Sequence, residues 1–330
     1  MPSCSGKLKP QIRGKVKAIE VKNLTRTFGH VVAVDHISFE VEEGEIFGFL
    51  GANGAGKTTT IMMLTTALNP TSGSATVCGH DIVKDRNELR KYMAVVFEEL
   101  SLDTNLTARE NLDFHARMYH ISRRVREERV SRGLELVGLK GKQNMLVKHY
   151  SGGMQRRLEI ARAMLNEPRI LFLDEPTLGL DVQTRRMLWD YARKLSRESG
   201  TTVLLTTHYV EEADYLCDRL AILEQGKIVV TDTPERLKNS LGDSLLSIKL
   251  LQGADELAKL LREVNWVKRV NQRDGWLDLS VESGETKIPE VARLAKEHGF
   301  AISSVSQHKP SLEDAFLHYA AKKLEDKTYE

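Results

Sequence analysis

The sequence predicts an α/β fold built on a largely parallel sheet and followed by a small α+β module. Three observations carry that prediction. Short β-branched runs alternate with helix-patterned stretches through the first two thirds of the chain, the rhythm of strand–helix–strand units around a parallel sheet. One long segment, residues 106–145, breaks the rhythm with helical periodicity and charged faces but no strand candidate, which marks an all-helical insertion. Beyond Ser240 the order becomes strand, helix, hairpin, helix, strand, helix; its β-α-β-β-α-β core is that of a ferredoxin-like module.

Taken in order, residues 46–51 read as a strand and 57–68 as the helix after it. The pairing repeats at 170–174 with 183–197, and at 201–207 with 210–217. Residues 219–224 and 227–232, joined across Gln225-Gly226, read as a hairpin, and Thr233-Pro234 opens a short helix. The last part holds a strand (245–251), a helix (254–264), a hairpin turning at Asp274-Gly275, a helix (288–298), a strand (301–306) and a final helix from Ser311. The expected division is a flexible basic tail over 1–16, a main domain over 17–240 with its helical part at about 100–150, and an extension over 241–330.

Composition excludes several classes. The chain has 330 residues, 41% hydrophobic and 28% charged, enough for one large core and one small one. A formal net charge of +2 makes no case for a nucleic-acid partner. The opening MPSCSGKLKPQIRGKVK has no apolar core of signal-peptide type and reads as a solvated tail. Cys4, Cys78 and Cys217 are odd in number and form no C-x-x-C pair, so a disulfide framework is not predicted and a reducing, cytoplasmic setting is. No apolar run approaches the roughly 18 residues of a spanning helix, so a membrane role calls for a partner chain. No internal repeat is visible.

The chemistry sits in three motifs. Gly51-Ala52-Asn53-Gly54-Ala55-Gly56-Lys57-Thr58-Thr59 follows an apolar strand and opens a helix, the context of a phosphate loop. Its glycines let main-chain N–H groups close around phosphates, the helix start adds partial positive charge, Lys57 reaches the β and γ phosphates, and the Thr58 hydroxyl suits magnesium. Next, Ile170-Leu-Phe-Leu-Asp174-Glu175 is an apolar strand ending in two carboxylates. Alone it fits a buried strand capped by solvated acids. Beside a phosphate loop, Asp174 becomes the magnesium partner and Glu175 the group that orients and deprotonates water. Finally, Tyr150-Ser151-Gly152-Gly153-Met154-Gln155 sets a serine and two glycines before a long helix, either a simple N-cap or a second phosphate clamp.

With Leu178-Gly-Leu-Asp181 and Thr207-His208, this ordered set resembles the nucleotide-binding subunit of an ABC transporter over roughly residues 16–240. The resemblance implies a P-loop NTPase cassette with an antiparallel β subdomain. ATP and Mg2+ would be its cofactors, and a dimer, of identical or different subunits, would sandwich each ATP between one phosphate loop and the Ser151, Gly152 and Gly153 of the other. It implies that Phe28 stacks on adenine, that Asp181 contacts the opposite subunit and that His208 senses the γ phosphate. It further implies a separate permease, reached at the cytoplasmic face of the membrane through the helical insertion. Two departures stand out: Tyr150 and Met154 replace the usual Leu and Gln of the signature, and Glu98 replaces the glutamine expected as a magnesium ligand. An acid there would bind metal more strongly but repel phosphate.

The tail Pro310-Ser-Leu-Glu-Asp-Ala-Phe316-Leu-His is similar to the C-terminal extension of daunorubicin-resistance-type exporter ATPases, which move drugs, lipids or polysaccharides. The signature and Leu106-Thr-Ala-Arg-Glu-Asn-Leu112 agree with that resemblance. The expected function is therefore ATP hydrolysis powering export, with Glu175, His208 and Lys57 catalytic and Thr58, Asp174 and Glu98 on the metal. The alternatives are a non-transport ATPase of the same family and an ATP-dependent dimerisation switch.

Overall fold

The computed structural model describes residues 16–241, 244–250, 252–273, 275–281 and 284–326. The basic tail expected before Val16, and the Asp274 of the expected turn, lie outside the described residues. Two compact units divide the chain: the residues up to His208 with Leu223–Ile228, and Tyr209–Ile222 with the residues from Val229 on.

In the first unit the strands are β1 (Lys17–Phe28), β2 (Val31–Glu42), β3 (Ile46–Leu50), β4 (Ser72–Val77), β5 (His80–Asp81), β6 (Met93–Val96), β7 (Ile170–Asp174) and β8 (Thr202–Thr207). Its helices are α1 (Lys57–Leu64), α2 (Arg86–Leu89), α3 (Ala108–Met118), α4 (Arg123–Leu136), α5 (Gly152–Ala163) and α6 (Val182–Ser199). β3, β7 and β8 are buried along their whole length, as befits strands covered on both faces, and this is why they read as unbroken apolar runs. They pair in parallel in the order β3-β8-β7-β6. The register sets Leu50 beside Thr207, Asp174 beside Thr206, and Val96 beside Leu173. The carboxyl ends of these strands therefore share one edge, the edge at which open parallel sheets bind ligands.

A second, antiparallel sheet has the order β2-β1-β4-β5. Phe39 of β2 stacks on Phe47 of β3 at 5.5 Å and meets Phe49 edge-on at 5.0 Å, so the two sheets share an aromatic core. The helical insertion is α3 and α4 packed with α5. Fully buried Leu112, Leu134 and Leu158 each contribute roughly 1.5–3 kcal/mol of burial. Thr107 starts α3 with a reciprocal capping box to Glu110. Only Val130 and Leu134 of α4 are buried; Arg123, Arg124, Glu127 and Glu128 form a solvated face, while the half-buried Arg126 and Arg129 pair with Asp113 and Glu167.

α1 ends four residues before the expected Leu68. Thr65 turns its hydroxyl back onto Ile61 O at 2.8 Å and Thr66 takes a left-handed φ of 63°, which stops the helix.

The second unit carries α7 (Val210–Leu216), and the chain then runs through β9 (Arg219–Glu224) and β10 (Lys227–Asp232), joined by Gln225 and Gly226 at positive φ. α8 (Pro234–Asn239) begins with Thr233 accepting from Arg236 N–H, as the Thr-Pro pair predicts. There follow β11 (Ser244–Leu250), α9 (Ala254–Arg262), β12 (Val267–Arg273), β13 (Trp276–Val281), α10 (Gly284–Glu297), β14 (Ile302–His308) and α11 (Leu312–Asp326). The sheet order β12-β13-β11-β14, antiparallel throughout, is the ferredoxin-like arrangement, with Leu246, Ile248, Leu257, Leu261, Leu277 and Leu279 in its core. α10 starts earlier than expected, at Gly284, and carries Pro289 inside it.

Candidate functional site

The loop 51–56 connects β3 to α1 and is held shut by packing. Gly56 has φ 100°, and a Cβ there would lie 2.5 Å from the main-chain oxygen of Ala33, so no other residue fits the turn. α1 then begins without a side-chain cap and without an acid in its first turn, unlike α3, α5 and α6, which Thr107, Ser151 and Asp181 cap. Its first N–H groups are thus left to an external anion.

Lys57 is buried, and its ammonium donates to Gly51 O at 2.6 Å and Ala52 O at 3.1 Å and pairs with Glu175 Oε1 at 3.1 Å. Glu175 in turn meets His208 Nδ1 through Oε2 at 2.9 Å. Three residues from three separate sequence motifs are therefore in one line of contact. Glu175 is 5% exposed and has φ 46°, a conformation that costs a non-glycine residue energy and that its surroundings must enforce.

Asp174, 1% exposed, accepts from Thr58 Oγ1 at 3.1 Å and from Thr206 Oγ1 at 2.6 Å. A buried carboxylate beside a threonine hydroxyl is a hard-oxygen donor set that suits Mg2+. Among the described residues no group of three or more His, Cys, Asp or Glu side chains is placed to hold a metal. A metal here would take Thr58 and Asp174 as protein ligands, with phosphate, water and the expected third ligand, Glu98, left to complete its shell. Glu98 is exposed in the turn after β6, and its main-chain oxygen accepts from Arg156 at 3.4 Å.

Ser151 caps α5 by accepting from Met154 N–H at 3.3 Å, with Gly152 and Gly153 in the first turn. The two departures in this motif are buried packing residues: Tyr150 donates its hydroxyl to Lys142 O at 2.8 Å, and Met154 is 9% exposed. Asp181 caps α6, accepting from Thr184 N–H at 2.9 Å and from its hydroxyl at 2.6 Å. Those bonds hold its carboxyl below the usual range. Phe28 is 46% exposed at the end of β1, with the Arg26 guanidinium 4.5 Å from the ring centre.

Two further residues of the site, Thr206 and Arg156, belong to none of the motifs. Thr206 bridges Asp174 and the Glu175 N–H, at 2.6 and 3.0 Å. Its signal was a threonine pair ending an apolar strand. Arg156 is 5% exposed, and its guanidinium donates to main-chain oxygens on both sides of the site. Its signal was an arginine on the inward face of a helix.

A family model described as ABC transporter matches residues 34–178, and one for the C-terminal domain of DrrA1-3-like ATP-binding proteins matches 233–320. The chain is 37% identical to the daunorubicin/doxorubicin resistance ATP-binding protein DrrA of Streptomyces peucetius, over 95% of this chain and 96% of that one. It is 34% identical to the linearmycin resistance ATP-binding protein LnrL of Bacillus subtilis, over 93% and 100%. Among solved structures, the ATP binding subunit of an ABC transporter superposes with a TM-score of 0.61 at 29% identity, covering 68% of this chain and 92% of that one. A dimeric ATP-binding cassette in a post-hydrolysis state with ADP and Pi superposes at 0.59 and 26%, covering 65% and 98%.

Proposed function

Since this chain belongs to the ATP-binding subunits of ABC transporters, of the daunorubicin-resistance type, we propose that Lys57, Thr58, Asp174, Glu175 and His208 are the site at which it hydrolyses ATP to power export. The carrying observation is the contact line Lys57–Glu175–His208 beside the Thr58–Asp174 pair.

Each residue has a task its position supports. The uncapped N–H groups of α1 and the Lys57 ammonium receive the β and γ phosphates, whose oxygens replace the loop carbonyls and Glu175 as partners of the lysine. Glu175, released from Lys57, accepts the proton of the attacking water. His208, already in contact with that carboxylate, holds the γ phosphate. Mg2+ held by Thr58 and Asp174 would neutralise charge on the phosphate oxygens. Little covalent chemistry falls to the protein, and positioning and electrostatics carry the rate.

The wider reading rests on the family. Ser151 to Gly153 would close on the nucleotide of a second nucleotide-binding subunit, and a dimeric relative among the solved structures supports that arrangement. Asp181 would contact that subunit and Phe28 would carry the adenine. No helix among the described residues is long and apolar enough to cross a membrane, so transport calls for a permease chain. The site would then lie at the cytoplasmic face, with residues 17–240 as the cassette and 241–330 as its extension. The curated relatives named for resistance to daunorubicin, doxorubicin and linearmycin support a drug-like organic cargo.

The test is magnesium-dependent phosphate release from ATP by the purified chain as protein concentration is raised, with Glu175→Gln alongside. Specific activity should climb with concentration and fall on the order of a hundredfold or more in the variant, which should keep ATP and run as a dimer. A variant as active as the parent would remove Glu175 from the mechanism. Tight ATP binding without hydrolysis in the parent, even with a permease present, would favour the dimerisation switch.

A further inference from the structure

We propose that Arg156 is a positioning residue for hydrolysis, the part through which the signature helix α5 sets the geometry of Glu175 and of the turn at Glu98. The inference rests on the site assigned above and extends it to a residue whose guanidinium bonds main-chain carbonyls beside that site.

The guanidinium lies inside the first unit, 5% exposed. Its Nε donates to Pro176 O at 2.9 Å, and Nη2 donates to Asp174 O at 2.9 Å and Glu175 O at 3.1 Å. On the other side Nη1 donates to Phe97 O, and to Glu98 O at 3.4 Å. One planar group thus bonds consecutive carbonyls of the turn after β7 and consecutive carbonyls of the turn after β6. Burying a guanidinium is costly unless its donors are matched, and here the fork is matched to main chain on both sides.

The turn it holds is the one that most needs holding. Glu175 holds φ 46° with its peptide fixed at both ends: its N–H bonds to Thr206, and its carbonyl and the carbonyls on either side bond to Arg156. Relaxing that φ would rotate the side chain away from Lys57 and His208, whose contacts are 3.1 and 2.9 Å.

The origin of the guanidinium is as informative as its targets. α5 begins at Gly152, immediately after Ser151, so Arg156 stands just over one turn into the signature helix. A rigid shift of α5, as when Ser151 to Gly153 engage a phosphate across a dimer, moves the guanidinium and with it the carbonyls of Glu98 and Glu175. The structure therefore provides a short path from the signature, which serves the partner's nucleotide, to the base that serves this subunit's own. A lysine could reach only part of this set, because three donors on one nitrogen cannot span both turns.

The experiment compares Arg156→Lys and Arg156→Ala with the parent and with Glu175→Gln, all as full-length chains. Folded fraction is fixed by circular dichroism, and ATP affinity is measured by a fluorescent ATP analogue. In Arg156→Ala, kcat per folded molecule should fall on the order of a hundredfold while affinity changes by less than about threefold, the mark of misplacement rather than lost binding. Arg156→Lys, which keeps the charge, should recover part of kcat and guards against an alanine variant that does not fold. An unchanged kcat in Arg156→Ala would overturn the proposal. So would kcat and affinity falling together in both variants, the pattern of a purely structural role. If Glu175→Gln hydrolyses normally the site assignment itself fails; if it is inactive while Arg156→Ala is normal, only this inference does.

Discussion

Replacing Thr206 by valine removes one hydroxyl and almost nothing else, because the two side chains have nearly the same shape and both suit a strand. In the parent that fully buried hydroxyl donates to Asp174 Oδ1 at 2.6 Å and accepts from Glu175 N–H at 3.0 Å. The first bond is charge-assisted and worth roughly 1.5–3 kcal/mol. The second is partly insured, because Glu175 N–H also reaches Thr206 O at 3.2 Å, so its loss adds only about 0.5–1 kcal/mol. Asp174 keeps Thr58 at 3.1 Å, which prevents a fully unpartnered carboxylate. The expected destabilisation is therefore about 2–4 kcal/mol. It should appear in urea unfolding as a lower midpoint at unchanged m. Turnover should fall as well, since the Asp174 carboxylate and the Glu175 main chain each lose a brace. Thr206→Ser keeps the hydroxyl and gives up one methyl, so it should stay within about 1 kcal/mol of the parent. A valine variant within about 0.5 kcal/mol of the parent, or a serine variant as weak as valine, would refute the bracing role assigned to this hydroxyl.

In Gly153→Ala the added Cβ would lie 2.8 Å from Thr184 Cγ2, whose hydroxyl is tied to Asp181. The α6 cap should loosen by about 1 kcal/mol and hydrolysis should drop, and adding Thr184→Ser, which deletes that methyl, should restore both in a double-mutant cycle. For His115, burial first and the Arg162 charge second push the imidazole down from 6.5 to about 4. Because the unfolded chain takes the proton first, this group's stabilising contribution is full above about pH 6.5 and is lost as pH falls toward 4, and His115→Asn should flatten that slope in urea titrations across the window. Glu98→Gln should hydrolyse ATP at least as fast as the parent in a phosphate-release assay, since the structure binds the Glu98 main chain and leaves its side chain exposed. A collapse of activity there would make the carboxylate itself essential.

Much of the site was legible because its parts are short, contiguous and chemically loud. The loop 51–59, the strand ending in Asp174 and Glu175, and the serine–glycine turn each need particular residue types at adjacent positions, so each can be read without tertiary information. The parallel strands were legible for a similar reason, since β3, β7 and β8 are buried on both faces and appear as runs of apolar residues. The ferredoxin-like module was legible in its element order, and its four-stranded sheet has the expected composition of strands and helices.

Long-range pairing was not legible. Nothing local in Thr206 or Arg156 says that one will meet Asp174 across the register of β7 and β8, or that the other will reach carbonyls of two different turns. Such contacts depend on which strands become neighbours and by how many residues they slide, and that is settled by burying all the apolar runs together. Residue type and spacing along a few turns of chain were enough for the kind of chemistry, the starts of α1, α8 and α9 and the strands of the buried sheet. That Lys57, Glu175 and His208 stand in one line, that Tyr150 and Met154 are packing residues, and that Glu98 is held by its main chain came from the folded chain, because each of these is a distance between separate segments.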